Sequence, residues 1–299
     1  MSVSLCNSIV NADGQEITQH GTPIFPVACY HDDLQKETVP WHWHEELEFF
    51  IVTEGNSYVD AGHGPEIVYK GQCCFINSSV LHTCRNTDSK TGCRYHSLVF
   101  HTNLVGMKYS SVYWRKYIKP LVESGIDYMI LTGQKAWQQK IISLVEEAWQ
   151  VLANEPVGYE LIVRNCLSTV ILLLYQALIQ ENTPKISRKT AAKQRDELRI
   201  KQMLIFIHEQ YENQLTIENI ATSASISKSE CLRCFHKMLH ITPIQYLKDY
   251  RLKKAYDMLL TTSLSVTDIA LSCGFSELSY FSRSFKEKYK MSPTTVRRK

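Results

Sequence analysis

The chain has 299 residues, 44% hydrophobic and 21% charged, which excludes a disordered chain and leaves room for two domains with cores of their own. Its 10 cysteines are scattered without a disulfide framework and no secretory leader opens the sequence, so reduced thiols and a cytoplasmic location are expected. The net charge of +3 is uneven: from residue 185 onward there are 21 Lys and Arg against 11 Asp and Glu, whereas residues 1–184 hold 12 against 19, so a basic nucleic-acid-binding module on an acidic body is expected.

Residues 1 to about 105 are rich in β-branched and aromatic side chains and are broken by turns such as Asp13-Gly14, Glu54-Gly55 and Gly62-His63-Gly64-Pro65. ELEFFIV, NSYVDA, EIVY, QCCFI and YHSLVF read as short strands at regular spacing, the pattern of a β-sandwich or barrel. Within this region HWHEELE places His42 and His44 on one face of a strand, and Glu48 four further along on the same face. Together with Gly55 this spacing resembles the first motif of the cupin barrel, and Gly71, His82 and Asn86 resemble the second, with Asn77 and Ser79 in place of its turn proline and glycine. The resemblance implies that His82 approaches His42, His44 and Glu48 from a paired strand. Three imidazoles and a carboxylate suit a divalent metal such as Zn, Fe, Mn or Ni. The same residues, walled by Trp41, Trp43, Tyr58 and Tyr69, suit a small ligand without metal, a carbohydrate in particular.

From about 110 to 181 the period becomes helical. WQQKIISLVEEAWQVL puts Ile141, Leu144, Val145, Ala148, Val151 and Leu152 on one face. A second helix at about 159–180 is more apolar than one buried face requires, but Arg164 and Asn165 within it argue for a buried helix and against a membrane span. The two helices are expected to pack on the barrel or pair with a second chain. Residues 182–197 are polar, basic and marked by Pro184, and read as a flexible linker.

The last hundred residues contain a repeat. TIENIATSASISKSECLRCFHKMLHITP (216–243) aligns with SVTDIALSCGFSELSYFSRSFKEKYKMSP (265–293), each copy a short helix, a tight turn and a longer helix. Thr216 and Ser265 are expected to cap the short helices, with capping-box spacing at Ser265–Asp268 and again at Ser227–Glu230. Gly274 occupies a turn position that calls for positive φ; the first copy has Ser225 there, at some cost. Between the copies PIQYLKDYRLKKAYDMLL (243–260) reads as one long helix, capped by Thr242 and started by Pro243. Two helices at an angle, the second bearing Lys and Arg, describe a helix-turn-helix, and the long helix can hold two of them about one DNA turn, ~34 Å, apart. Cys231-x-x-Cys234 lacks a second pair and falls on the core face, so packing is the expected role.

This segment resembles the AraC/XylS-type DNA-binding domain. The resemblance rests on Ile220-Ala221, Ser227, Arg233-x-Phe235, Arg251-x-x-x-Ala255-x-x-x-Leu259-Leu260, Ile269-Ala270, Gly274-Phe275, Phe281-x-Arg283-x-Phe285-Lys286 and Ser292-Pro293. Ser225, Cys231 and Val296 depart from the pattern. The resemblance implies base-edge contacts from Lys228, Ser229, Leu232 and Arg233 in the first copy and from Glu277, Leu278, Ser279 and Arg283 in the second. Lys237, Lys286 and Lys288 are expected at phosphates. The shared register of Arg233 and Arg283 leaves open a partly structural role for both.

The expected fold is α+β multidomain: a cupin-like β-barrel with trailing helices for sensing and dimerisation (1–181), a linker (182–197), and an all-α domain of two helix-turn-helix units joined by a long helix (198–299). The expected function is a sequence-specific transcriptional regulator, an activator rather than an enzyme, controlled by a small effector. Its expected partners are promoter DNA, that effector, RNA polymerase and a second copy of itself, with no membrane. The alternative is a metal-dependent cupin enzyme fused to DNA-binding helices.

Overall fold

The computed structural model describes residues 20–34, 39–62, 64–87, 92–108, 110–180 and 191–297. The chain forms two compact units that part between Gln194 and Arg195.

The first unit is built on two antiparallel sheets. One has the order β1 (Val27–Asp33), β8 (Arg94–Phe100), β3 (Leu47–Glu54), β6 (Cys73–Ile76), β9 (Tyr128–Leu131). The other runs β2 (Val39–His42), β7 (His82–Asn86), β4 (Asn56–Asp60), β5 (Glu66–Tyr69). Between them lie Phe50, Val52, Cys74, Ile76 and Tyr95 from the first sheet and Val59, Val68 and Cys84 from the second. The opposite face of the five-stranded sheet, with Leu47, Phe49, Ile51, Phe75, Leu98 and Phe100, belongs to a second core shared with the helices.

Those helices follow β8. A short α1 (Asn103–Gly106) and a π-turn at Trp114–Ile118 running into α2 (Lys119–Val122) lead to β9. Then α3 (Ala136–Asn154) buries Ile141, Leu144, Val145, Ala148, Trp149 and Leu152. α4 (Tyr159–Gln180) adds Val163, Leu167, Val170, Ile171 and Leu174 to the same core. By length and composition α4 could cross a membrane; here its inner face is protein core, and the Arg164 guanidinium donates to the Leu104 carbonyl at 3.1 Å. β9 is a strand inside a stretch expected to be helical.

Gly55, between β3 and β4, has φ +67, and an added Cβ would run into the carbonyl of Gly92. The motif glycine is therefore required by the tight reversal itself.

α5 (Ala191–Gln210) leads into the second unit, which takes it up from Arg195. Of the expected linker 182–197, residues 182–190 lie outside the described residues, and 191–197 are helical, which corrects the linker's end. The first helix-turn-helix is α6 (Ile217–Ser223) and α7 (Lys228–Leu239); the second is α9 (Val266–Ser272) and α10 (Leu278–Tyr289). α8 (Pro243–Thr261) joins them, and α11 (Pro293–Arg297) closes the chain. α8 is shared structure: Tyr246 and Leu247 are buried near its start, while Leu252, Ala255 and Leu259 pack with Ile269, Ala270, Phe275, Phe281 and Phe285 of the second copy.

The caps form as hydrogen bonds from backbone amides to side-chain oxygens. Thr216 accepts from Asn219 N and Asn219 accepts in return from the Thr216 amide, a full capping box. Ser227, Thr242 and Ser265 accept from Glu230, Gln245 and Asp268. The reciprocal box is thus at Thr216–Asn219, where the sequence reading sought it at Ser227 and Ser265.

Cys73, Cys74, Cys84, Cys93, Cys166, Cys231, Cys234 and Cys273 are free and buried. Burial pushes the thiols up, to about 11 for Cys93 and Cys231 and about 12 for Cys273. Cys231 and Cys234 face the core, as packing requires.

Gly274 and Ser225 occupy equivalent turns with φ +76 and +54. A left-handed conformation costs a side chain with a Cβ about 1 kcal/mol. Ser225→Gly is expected to stabilise the second unit by about 0.5–1 kcal/mol in denaturant titration. Gly274→Ser is expected to destabilise it by about 1–3 kcal/mol, because its Cβ would also meet the Tyr211 and Glu212 carbonyls at 2.6 and 2.8 Å.

Candidate functional site

Two groups of side chains carry chemistry. The first lies between the sheets. His42 ends β2, His44 follows it, Glu48 stands on β3 beside the interior Phe50, and His82 opens β7 directly opposite His42. All four are buried. One ligand atom from each lies within 4.8 Å of the others.

The three imidazoles are oriented by the backbone. Nδ1 of His42, His44 and His82 lies 2.9, 3.2 and 2.8 Å from the carbonyl oxygens of Pro40, Glu46 and Val80. A carbonyl only accepts, so each Nδ1 carries the proton and donates. Nε2 of each ring is left for the interior. For His44 and His82 it sits 3.2 and 3.1 Å from the same oxygen, Oε2 of Glu48.

That geometry demands positive charge. In neutral imidazoles protonated at Nδ1, two Nε2 lone pairs would face one carboxylate oxygen. A proton shared within the cluster or a bound cation removes that conflict. Burial pushes the Glu48 carboxyl up, but hydrogen bonds from His44 and His82 and their charge outweigh it and hold it well below the usual carboxylate range. An ionised carboxylate with three backbone-oriented imidazoles is a donor set that fits a divalent metal.

His20 also approaches this group. It is 5% exposed, its Nδ1 lies 2.8 Å from the Tyr30 hydroxyl and its ring is 5.6 Å from that of His44. The motif spacing gave no sign of it. Asn86, the other motif residue, pairs with Ser57 at the far end of β7 and is not part of the cluster. Asn77 donates instead to the carbonyls of Leu121, Val122 and Ile126, tying the turn before β7 to the end of α2 and the loop after it.

The expected aromatic wall is corrected. On β4 Val59 faces the interior, so Tyr58 faces outward, with the Arg85 guanidinium 5.3 Å above its ring. Tyr69 is 53% exposed. Trp41 is half-buried on β2, and Trp43, just beyond the strand's end, is buried.

The second group is the outer face of α7 and α10. Lys228, Ser229, Leu232, Arg233 and Lys237 are exposed on α7; Leu278, Ser279, Arg283 and Lys286 are exposed on α10, and Glu277 is its exposed N-cap residue. The surroundings differ between copies. Lys228 pairs with Glu218 at 2.5 Å, and Arg233 and Lys237 with Asp196 of α5. Arg283 lies 5.7 Å from the Tyr280 ring, and neither it nor Lys286 has a carboxylate partner among the described residues. Lys288 donates to the Asp249 carbonyl at 3.0 Å, so it is engaged within the unit and not free for a phosphate.

Residues 32–99 match the cupin domain family and residues 220–299 a helix-turn-helix domain family. The uncharacterized HTH-type transcriptional regulator YdeC of Bacillus subtilis is 28% identical over 98% of both chains. The HTH-type transcriptional activator RhaS of Klebsiella pneumoniae is 25% identical over 88% of this chain and 89% of its own. The chain is similar along most of its length to HTH-type transcriptional regulators, with a cupin domain ahead of a helix-turn-helix domain. Among solved structures, a regulator with an AraC-type DNA-binding domain from Chromobacterium violaceum is 26% identical over 34% of this chain and 91% of its own, at TM-score 0.33.

The exposed residues of α7 and α10 are those expected at DNA from the sequence. Arginine reads guanine through paired N–H groups, whereas a lysine at a phosphate attracts without reading. Arg283→Ala is expected to cost about 1–3 kcal/mol at the preferred duplex and to relax one base position, measured by selection from random duplexes. Lys286→Ala is expected to weaken all sequences alike and to flatten the salt slope by about 1. Identical behaviour of the two variants would overturn this division.

Proposed function

We propose that the regulator is effector-controlled, and that His42, His44, Glu48 and His82 are the effector site, holding a divalent cation. The observation that carries this reading is the pair of Nε2 atoms facing one Glu48 oxygen with both Nδ1 protons already committed. When bound, the metal supplies positive charge and open coordination positions for a small chelating ligand. The protein's own part is to fix the rings through Pro40, Glu46 and Val80 and to keep the group among the buried side chains of the barrel.

A carbohydrate remains the effector class proposed from the family resemblance, although Tyr58 and Tyr69 no longer support it. Activation is supported by the names of the RhaS relatives, contact with RNA polymerase is part of that proposal, and a DNA partner supports a cytoplasmic location. Exposed Leu161, Leu172 and Ile179 on α4 support a homodimer through that helix. The relatives are named regulators, which favours a sensing role for the cluster over the fused-enzyme alternative.

Elemental analysis of protein purified without a metal-affinity tag tests the site. About one divalent metal per chain is expected, lost in the His42→Ala/His44→Ala double variant. No metal in either protein would sink the metal reading and leave the cluster a proton-bridged group. Control by the site is tested separately: removing the metal with a chelator is expected to change affinity for a preferred duplex by roughly 5–150-fold. Unchanged affinity would separate the site from regulation.

A further inference from the structure

Asp196 stands on α5, ahead of both helix-turn-helix copies, and is 3% exposed. Its Oδ1 accepts from Arg233 Nη2 at 3.1 Å and its Oδ2 from Lys237 Nζ at 2.8 Å. Burial pushes this carboxyl up, but those two hydrogen bonds and the charges behind them outweigh it and hold Asp196 below its ordinary range. Glu230 grips the same guanidinium, with Arg233 Nε at 2.9 Å and Nη2 at 2.7 Å, and itself accepts from Arg199 of α5 at 2.9 Å. Asp196, Glu230 and Cys234 also lie close enough to suit a metal, but both carboxylates are taken up by cations and burial pushes the thiol up.

Arg233 therefore has its Nε and Nη2 edge committed to protein, while its residue stays exposed on the outer face of α7. A guanidinium held on one side keeps one orientation; a free one samples many rotamers and loses them on binding. Lys237, with its ammonium 2.8 Å from a carboxylate, is only weakly available to a phosphate. In the second copy Arg283 and Lys286 have no such partners among the described residues.

We propose that Asp196 is a positioning residue for sequence reading: with Glu230 it fixes Arg233 toward the bases and holds Lys237 back from the backbone. The first copy then contributes sequence preference and little phosphate attraction, and the second copy supplies most of the latter. This rests on α7 and α10 each reading a half-site.

The test is selection from a pool of random duplexes of about 30 base pairs, about three helical turns, with the full chain. Wild type is expected to give two preferred half-sites; a featureless wild-type profile would remove the double-reading premise itself. Asp196→Asn is expected to lose preference at one half-site by roughly tenfold and to keep the other. Its salt slope on unselected DNA should steepen by about 1–2, one phosphate contact for each released cation. Asp196→Glu, which keeps the charge, should fall between the two. Glu230→Gln leaves the buried carboxylate on Lys237, so it should blur the same half-site without the steeper slope. Equal loss at both half-sites, or a lowered melting temperature with both preferences and the slope intact, overturns the proposal.

Discussion

Every side chain of β3 from Leu47 to Val52 is buried, and alternate residues go to different cores. Phe50 and Val52 enter the space between the sheets; Leu47, Phe49 and Ile51 meet the core shared with α3 and α4. A strand period of two lets one segment serve both, but only when both faces are apolar. Glu48 is the exception, and it falls on the inter-sheet face. The packing that buries its neighbours removes its water, so its charge has to be answered locally. The histidines do so, and their orientation follows from carbonyls two residues away along the chain, those of Pro40, Glu46 and Val80. The cluster is thus a consequence of β3's double burial as well as a candidate site.

The second unit solves a different problem. Helices as short as α6 and α9 are marginal alone and hold only through caps and packing. α8 supplies a wall to both copies, which couples them mechanically while leaving each its own recognition face. The copies have diverged where physics tolerates it. The left-handed turn keeps its glycine in the second copy, where the Tyr211 carbonyl crowds it, and has a serine in the first. The charge pattern diverges too, with carboxylates paired to the cations of α7 and none paired to Arg283 or Lys286 among the described residues.

The repeat, its caps and its core residues were legible because they depend on spacing within about thirty residues. The pairing of His42 with His44 was legible from their spacing, but the single strand expected to carry them on to Glu48 is corrected: the chain turns after β2, and Glu48 stands on β3 in the other sheet. His82 was found only through the second motif, since strand pairing is not written locally. The strands rich in aromatic and β-branched residues were visible. β9 was missed because YMIL is short and lies among helices, and β1 because His31, Asp32 and Asp33 interrupt its apolar pattern. Tyr58 was assigned to the wrong side because its parity is set by β4's register with β5 and β7. His20 and Asp196 were invisible for one reason: each matters only through residues far along the chain, and a single buried polar residue leaves no period to read.

Eight buried thiols, each protonated near neutrality by its apolar surroundings, give the molecule an internal clock. An alkylating reagent reacts with the thiolate, and these side chains present one only when the packing around them opens. The rate at which Cys74 or Cys84 is modified therefore times the parting of the two sheets, and that of Cys231 or Cys234 the lifting of α7 from its core. Both rates could be followed together in one native sample, so that ligand-induced tightening of one unit would be read against the other as an internal reference.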